Sequence, residues 1–141
     1  MKIHYLETLD NNQIKQWNIF WSLAKSAHPR QHYLFAEVER SMGRTPIYAF
    51  GEIENRIVSA GIFSLSPFFL GNKVCMNAIC KRGPIIESIA DGNTFIESAT
   101  QWLKLKGVGV IEIAPSWYYP EAEPVANVLR NLNFRLCNKF T

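Results

Sequence analysis

The chain has 141 residues, of which 48% are hydrophobic and 19% are charged. These values are ordinary for one folded domain with its own core. The net charge is only +3 and the basic residues are scattered, which argues against a dedicated nucleic-acid-binding arm. No apolar run approaches the ~18 residues that cross a bilayer, and no signal peptide opens the chain, so we expect a cytoplasmic protein.

Neither a disulfide framework nor a metal site is predicted. Cys75, Cys80 and Cys137 are odd in number and lack zinc-type spacing. His28 and His32 have the spacing of a ligand pair, but no cysteine or carboxylate completes a metal site beside them. Surface loop histidines are therefore the stronger interpretation, although either could serve as a base near neutral pH.

The first part of the chain predicts one strand and two helices. Met1–Leu6 is typical of a short strand. Asp10 and Gln13 form a capping box that begins a helix, and Pro29 ends the helical pattern. A second helix is predicted at about His32–Met42. The apolar positions predicted to face the core from this helix are Leu34, Val38 and Met42.

Three strands are predicted next, in quick succession. Pro46–Glu52 and Arg56–Ser66 flank a polar turn, as expected for a hairpin, and Lys73–Ile79 returns beside them. The turn segment Phe68-Phe69-Leu70 is typical of a contact patch for a partner or a membrane surface, or of packing under a neighbouring element. Arg82-Gly83-Pro84 then forces the chain out of the sheet, because proline has no donor for a ladder.

The last part of the chain predicts two helices and two strands. Asp91 can cap a helix that Gly107 ends. The nearly unbroken apolar run Val108–Ala114 indicates a central strand that is covered on both faces. Pro124 can open the final helix. A last strand is predicted from three apolar positions, which are Phe134, Leu136 and Phe140.

The predicted order is β-α-α-β-β-β-α-β-α-β. Three antiparallel strands followed by two helical crossovers give a mixed α/β (α+β) central sheet with helices on both faces. No linker or repeat interrupts the pattern, so residues 1–141 are interpreted as one domain. Ligands of open α/β sheets bind where a crossover leaves the sheet, and here that place is the Arg82-Gly83-Pro84 corner.

This order resembles the GNAT acyltransferase fold without its usual last strand. Five segments are similar to its FemAB-like branch, the peptidoglycan-bridge aminoacyltransferases and their CelD-like relatives. These segments are Gly43–Pro46, Arg56–Gly61, Lys81–Ile86, Ile111–Pro115 and Leu132–Phe134. Members of that branch usually have two fused halves, and this chain corresponds to one. The resemblance therefore implies that an exposed edge remains, or that a second domain or chain, such as a second copy in a homodimer, completes the sheet.

The resemblance implies an acyl- or aminoacyl-transferase that acts on an amine. The acceptor would be a small molecule or a cell-envelope precursor, and the donor an aminoacyl-tRNA, which would bring a tRNA contact, or an acyl-CoA. The segment Cys80–Gly92 lacks the glycine-rich loop with which GNAT enzymes bind the pyrophosphate of CoA. Two alternatives stay open: a non-catalytic ligand- or partner-binding module, and an acyl-CoA-dependent N-acetyltransferase with a divergent phosphate loop.

In the GNAT fold the cleft lies where the fourth and fifth strands splay apart. Here those strand ends are Ile79–Gly83 and Ala114–Trp117. Arg82 is placed to meet a phosphate or carboxylate, with Lys81 as an assisting charge and Gly83 beside them in the substrate-binding corner. A structural arginine that ties the corner to a neighbouring carboxylate is the alternative.

The candidate catalytic residues are Glu112 and Tyr118. Glu112 lies in the predicted central strand and would serve as a general base if it were withdrawn from water. A solvated or lysine-paired glutamate is the alternative. Trp117 and Tyr119 flank Tyr118 in the following loop and are predicted to form a stacking wall for substrate, or else a lid on the core.

Overall fold

The structure is a computed structural model that describes residues 1–115, 120 and 122–137. Its strands are β1 (Lys2–Leu6), β2 (Thr45–Ile53), β3 (Arg56–Leu70), β4 (Lys73–Lys81), β5 (Ile85–Ile86) and β6 (Val108–Ala114). Its α-helices are α1 (Asn11–Leu23), α2 (Phe35–Ser41), α3 (Ile89–Leu105) and α4 (Glu123–Asn131). A 3-10 turn, Pro29–Gln31, lies between α1 and α2. No helix in the described part of the chain is long and apolar enough to cross a membrane.

The strands form one mixed sheet, as predicted. Its order is β1-β2-β3-β4-β6, and the short β5 pairs with β3. The pairs β1–β2, β2–β3 and β3–β4 are antiparallel, whereas the pair β4–β6 is parallel. The crossover between these parallel strands is α3, because a parallel pair cannot be joined by a tight turn. The mixed sheet with helical crossovers is therefore confirmed.

The two faces of the sheet are covered by different helix pairs, which also confirms the prediction. α3 and α4 bury Phe95, Ile96 and Val128 against one face. α1 and the segment that follows it bury Trp17 and Phe20 against the other. The predicted capping box begins α1: the Asp10 side chain accepts from the backbone of Gln13, whose side chain accepts from the backbone of Asp10 in return.

The predicted core face of α2 is wrong. Leu34, Val38 and Met42 are exposed, and the residues buried from this helix are Ala36 and Glu39. The methyl side chain of Ala36 is small enough to let the helix lie close to the sheet. Glu39 is buried because two basic residues meet it there. Periodicity alone selects the apolar positions and cannot recognise a buried ion pair.

Several predicted details near the end of the chain also differ. Ser88, not Asp91, caps α3, since its Oγ accepts from the backbone of Asp91. β6 lies at an edge of the described sheet and Val110 is exposed, so the prediction of a central strand that is covered on both faces is wrong. Residues 134–137 lie outside any strand, and Phe140 falls outside the described residues. The last strand is thus absent from the described part of the chain.

Candidate functional site

Three connections meet at one end of the sheet. β4 and β6 are parallel, and their last residues, Lys81 and Ala114, are register partners. The turn between α1 and α2 reaches this end, because the side chain of Gln31 contacts the end of β4. The segment that enters α3 and the connection from β6 to α4 start here too. This is the end at which open α/β sheets bind ligands.

The Arg82-Gly83-Pro84 corner is a bulge that interrupts the pairing of β4 with β3. Arg82 has a positive φ of 59°, and the Gly83–Pro84 peptide bond is cis. After the corner the chain rejoins β3 as β5, where Ile85 pairs with Ala60. The prediction that proline breaks the ladder is therefore confirmed. The chain returns to β3, however, before it crosses over as α3.

The buried side chain of Gln31 bridges the interrupted pairing. In the register of β3 and β4, Phe63 pairs with Cys80, so the next pair would be Ile62 and Lys81. Instead, Oε1 of Gln31 accepts from the backbone of Ile62 at 2.8 Å, and its Nε2 donates to the backbone oxygen of Lys81 at 2.6 Å. One side-chain amide thus satisfies the two backbone groups that the bulge separates.

Two glycines make room for this arrangement. A Cβ on Gly83 would lie 2.7 Å from Cδ of Gln31, and a Cβ on Gly61 would lie 2.9 Å from Cβ of Pro84. Both distances are shorter than real Cβ contacts. Gly83 is buried, so the structure gives this predicted substrate-binding residue a packing role.

The predicted gap between the fourth and fifth strands does not open within the described residues. β4 and β6 pair from Met76 and Val108 to their ends at Lys81 and Ala114. After Lys81 and the corner the chain joins β3 as β5. No gap opens between β4 and β6 because the bulge after β4 faces β3, on the other side. The side chain of Gln31 fills the space that the bulge creates.

Lys81 belongs to a buried ion-pair cluster. Its Nζ lies 3.0 Å from Glu39, and Nη1 of Arg44 lies 3.3 Å from the same carboxylate. Burial alone would raise the pKa of Glu39. Hydrogen bonds from Ser64 and Lys81, and the charges of Lys81 and Arg44, outweigh burial and hold that pKa below its ordinary value. Lys81 therefore ties the end of β4 to α2.

Three basic residues lie together on the outer side of the corner. Arg30 precedes Gln31, and Arg82 follows Lys81, so the Gln31–Lys81 contact brings both arginines to one place. The pKa of Arg82 is lowered first by burial and then by the charge of Arg30. The pKa of His28 is likewise lowered by burial and by both arginines. The two neighbouring arginine charges suit an anionic ligand, and the lowered pKa of His28 favours its neutral form.

A cavity of about 460 Å³ opens at the same end of the sheet. Its walls come from the end of α1, from Ile86 at the end of β5 and the following Glu87, and from Pro120 and Pro124 before and within α4. This volume is within the range of small-molecule sites. A smaller cavity of about 250 Å³ lies between the start of α1 and α2.

Comparison with solved structures finds similar architectures. FemX superposes with a TM-score of 0.70 and 12% identity, over 92% of this chain and 31% of FemX. The aminoglycoside antibiotic 6'-N-acetyltransferase of Acinetobacter haemolyticus superposes with a TM-score of 0.65 and 12% identity, over 100% of this chain and 95% of that enzyme. An aminoglycoside N-acetyltransferase in complex with CoA gives 0.68 and 13%, over 99% and 91%. The chain has the GNAT acyltransferase fold.

At these identities the likeness establishes the GNAT fold alone. No family model matches the sequence, and no curated protein matches it. The fold does not identify the activity, which depends on the residues at the end of the sheet where β4 and β6 finish.

Glu112 is half-buried on β6, beside Ile79 of β4. Ile111 and Ile113 pack into the core under α3 and α4, so Glu112 lies on the opposite face of this GNAT sheet. Lys81 lies on that face as well, since it reaches Glu39 on α2. The structure thus brings these two predicted site residues to diagonal positions on neighbouring strands.

The remaining predicted site residues divide into two groups. Trp117, Tyr118 and Tyr119 lie outside the described residues. His28 and His32 each accept a backbone hydrogen bond through Nδ1 and shape the turn before α2. Among the residues that the structure describes, no group of histidines, cysteines and carboxylates could hold a metal ion.

The sequence reasoning missed Gln31 and Glu39. Gln31 lies in a loop in which a glutamine predicts nothing by itself. The spacing of Glu39 gave a weak indication that this residue faces the sheet, because it stands three residues after Ala36 and hence on the same side of α2. Only the folded chain brings both residues to the end of β4.

Proposed function

We propose that this chain is an acyl- or aminoacyl-transferase that acts on an amine. The observation that carries the proposal is that Arg30 and Arg82 lie together at one end of a GNAT-fold sheet. A 460 Å³ cavity, lined by other residues, opens at the same end. Fold alone does not imply activity, so the site supports this function only together with the fold.

In the proposed reaction the nitrogen of a neutral amine attacks the acyl carbonyl carbon. A C–N bond forms, and the C–O or C–S bond to the donor breaks. The amine gives up one proton, which Glu112 accepts directly or through water, and the leaving oxygen or sulfur takes a proton in turn. Arg30 and Arg82 hold an anionic group of the donor or acceptor close to the reacting atoms. Tyr118, with Trp117 and Tyr119 as substrate contacts, remains part of the proposed site.

The finer assignment follows the FemAB-like resemblance. The acceptor is then a cell-envelope precursor in the cytoplasm and the donor an aminoacyl-tRNA. The superposition on FemX, which uses 31% of that chain, supports this choice. Because the match covers one part of FemX, a second domain or a second copy of this chain is proposed to complete the site and the exposed edge of β6.

Transfer assays with two donors test the proposal. The purified chain is incubated with an amine panel and either aminoacyl-tRNA or acetyl-CoA, and amide products are detected by mass spectrometry. We expect product with one donor, at least tenfold less product from Glu112→Gln, and normal product from Glu97→Gln, an exposed glutamate on α3. Product that does not depend on Glu112 would remove its proposed role. No product with either donor would contradict the activity.

The anionic subsite has its own test. Inorganic pyrophosphate is titrated into the chain and the heat of binding is measured. Arg82→Ala or Arg30→Ala should weaken binding about ten- to hundredfold, since each removes a charge-assisted contact. Arg56→Ala, at an exposed residue that begins β3, is the matched control. Equal affinities in all four proteins would exclude this site.

One observation favours a second function, a ligand-binding module without catalysis. β4 and β6 stay paired to their ends, so the described strands leave no gap for a donor between them. Pyrophosphate binding without transfer from either donor would support this second function.

A further inference from the structure

The hairpin that joins β3 and β4 extends beyond its neighbours. β2 pairs with β3 only as far as Leu65, and β6 begins to pair with β4 at Met76. Residues 68–75, here named the hairpin tip, therefore have no strand on either side in the described sheet. The tip contains three paired rows and so projects by about 10 Å.

Both faces of the hairpin tip are apolar and exposed. Phe69 and Val74 are register partners on one face, and their exposed fractions are 74% and 64%. Leu70 lies on the other face and is 61% exposed. Exposed apolar groups that are clustered in this way usually mark an interaction surface.

The surroundings of the tip are basic. Between Glu54 and Glu87 the sequence has no acidic residue, and Lys73 is the charged residue of the tip. The turn from α3 to β6 lies at this end of the sheet and adds Lys104 and Lys106, with an 86%-exposed Leu105 between them.

The acidic residues at the tip end of the sheet lie away from the tip. Glu7 and Asp10 follow β1 at the far edge of the sheet, two strands away from β3. The surface around the tip therefore combines apolar side chains with positive charge.

We propose that the hairpin tip inserts into an anionic lipid surface. A flat protein partner would cover one face of a projecting hairpin, whereas a lipid interface surrounds both faces. Phe69, Leu70 and Val74 would enter the headgroup region, and Lys73, Lys104 and Lys106 would meet anionic headgroups. The tip lies at the opposite end of β4 from the candidate site, so that site would remain open to solution. This proposal does not depend on the transferase proposal.

Vesicle sedimentation tests the proposal. The full chain is mixed with vesicles of phosphatidylcholine alone, or with about 30% phosphatidylglycerol, whose charge attracts basic residues. We expect binding to the anionic vesicles that weakens with added salt. The double variant Phe69→Ser/Leu70→Ser and the variant Lys73→Glu should each bind at least tenfold less. Ile19→Ser, which removes an exposed apolar residue from α1, is the matched control and should bind normally.

A second measurement separates insertion from surface attachment. In Phe69→Trp the new indole should become accessible to quenching by brominated lipid in anionic vesicles. Absence of quenching, or equal binding by the tip variants and the native chain, would overturn the proposal. So would a concentration-dependent dimer that the serine variants abolish, since the tip would then contact a second copy of the chain. Thermal unfolding of each variant confirms that it is folded.

Discussion

Gly83 leaves space that the side chain of Gln31 occupies: a Cβ at position 83 would lie 2.7 Å from Cδ and 3.0 Å from Nε2 of Gln31. The two residues are far apart in sequence and belong to different elements. Their contact explains both the glycine in the Arg-Gly-Pro corner and the buried amide in the turn before α2. The sequence pattern identifies the corner as a break in the sheet. It does not identify Gln31, the residue that holds the corner in place.

Replacement of Gly83 by alanine should destabilise the chain. The added methyl must displace Gln31, and such overpacking costs about 1–3 kcal/mol of the free energy of unfolding. Urea unfolding measures the change. Gly109→Ala is the control, because the nearest atom to its Cβ is 4.0 Å away. If Gly83→Ala unfolds at the same urea concentration as the native chain, the packing role of Gly83 is wrong.

Replacement of Gln31 by leucine should leave the backbone groups of Ile62 and Lys81 without a partner. Each such buried group costs about 1–3 kcal/mol, so we expect a loss of about 2–5 kcal/mol. Hydrogen exchange should show faster exchange of the Ile62 amide in particular. Gln101→Leu, on the exposed side of α3, should change stability by less than about 0.5 kcal/mol. Unchanged protection of Ile62 would argue against the bridge.

The ion pairs of Glu39 predict a pH dependence. Because the pKa of Glu39 is below its ordinary value of 4.5 in the folded chain, its contribution to stability is present above pH 4.5. That contribution is lost as the pH falls through the folded pKa. Glu39→Gln should therefore lower the free energy of unfolding at neutral pH, and by progressively less below pH 4.5.

Unfolding of this variant and the native chain across a pH series provides the measurement. Glu97→Gln, at an exposed position, is the control and should follow the native chain. A difference between Glu39→Gln and the native chain that stays constant with pH would mean that the carboxylate charge is not the stabilising feature.

Cys80 and Cys137 should react very differently with thiol reagents. Cys80 is fully buried, and burial raises its pKa far above the ordinary range, so its reactive thiolate is scarce. Cys137 is exposed. In the folded chain we expect rapid labelling of Cys137 and none of Cys80, with peptide mass spectrometry as the readout. The variant Cys137→Ser should lose the rapid phase, and labelling of Cys80 at a similar rate would contradict the buried position.

Local chemistry explains which elements were predictable. The capping box at Asp10 and the break at Pro84 each depend on one or two neighbouring residues. Alternating and helical patterns were sufficient for β1 to β4, for β6 and for α1 and α3, whereas β5 was not predicted. α2 was predicted with the wrong face, because Glu39 is buried through partners that lie elsewhere in the chain.

The sequence by itself determined that this chain forms a mixed α/β sheet and that its ladder breaks at Arg82-Gly83-Pro84. Those properties depend on residue periodicity and on the backbone N–H group that proline lacks. Both are set by residues that are close together in sequence. Only the tertiary structure decided that the break faces β3, that Gln31 fills it, that Glu39 neutralises Lys81, and that Arg30 meets Arg82. These contacts join residues that are distant in sequence, and no local pattern encodes them.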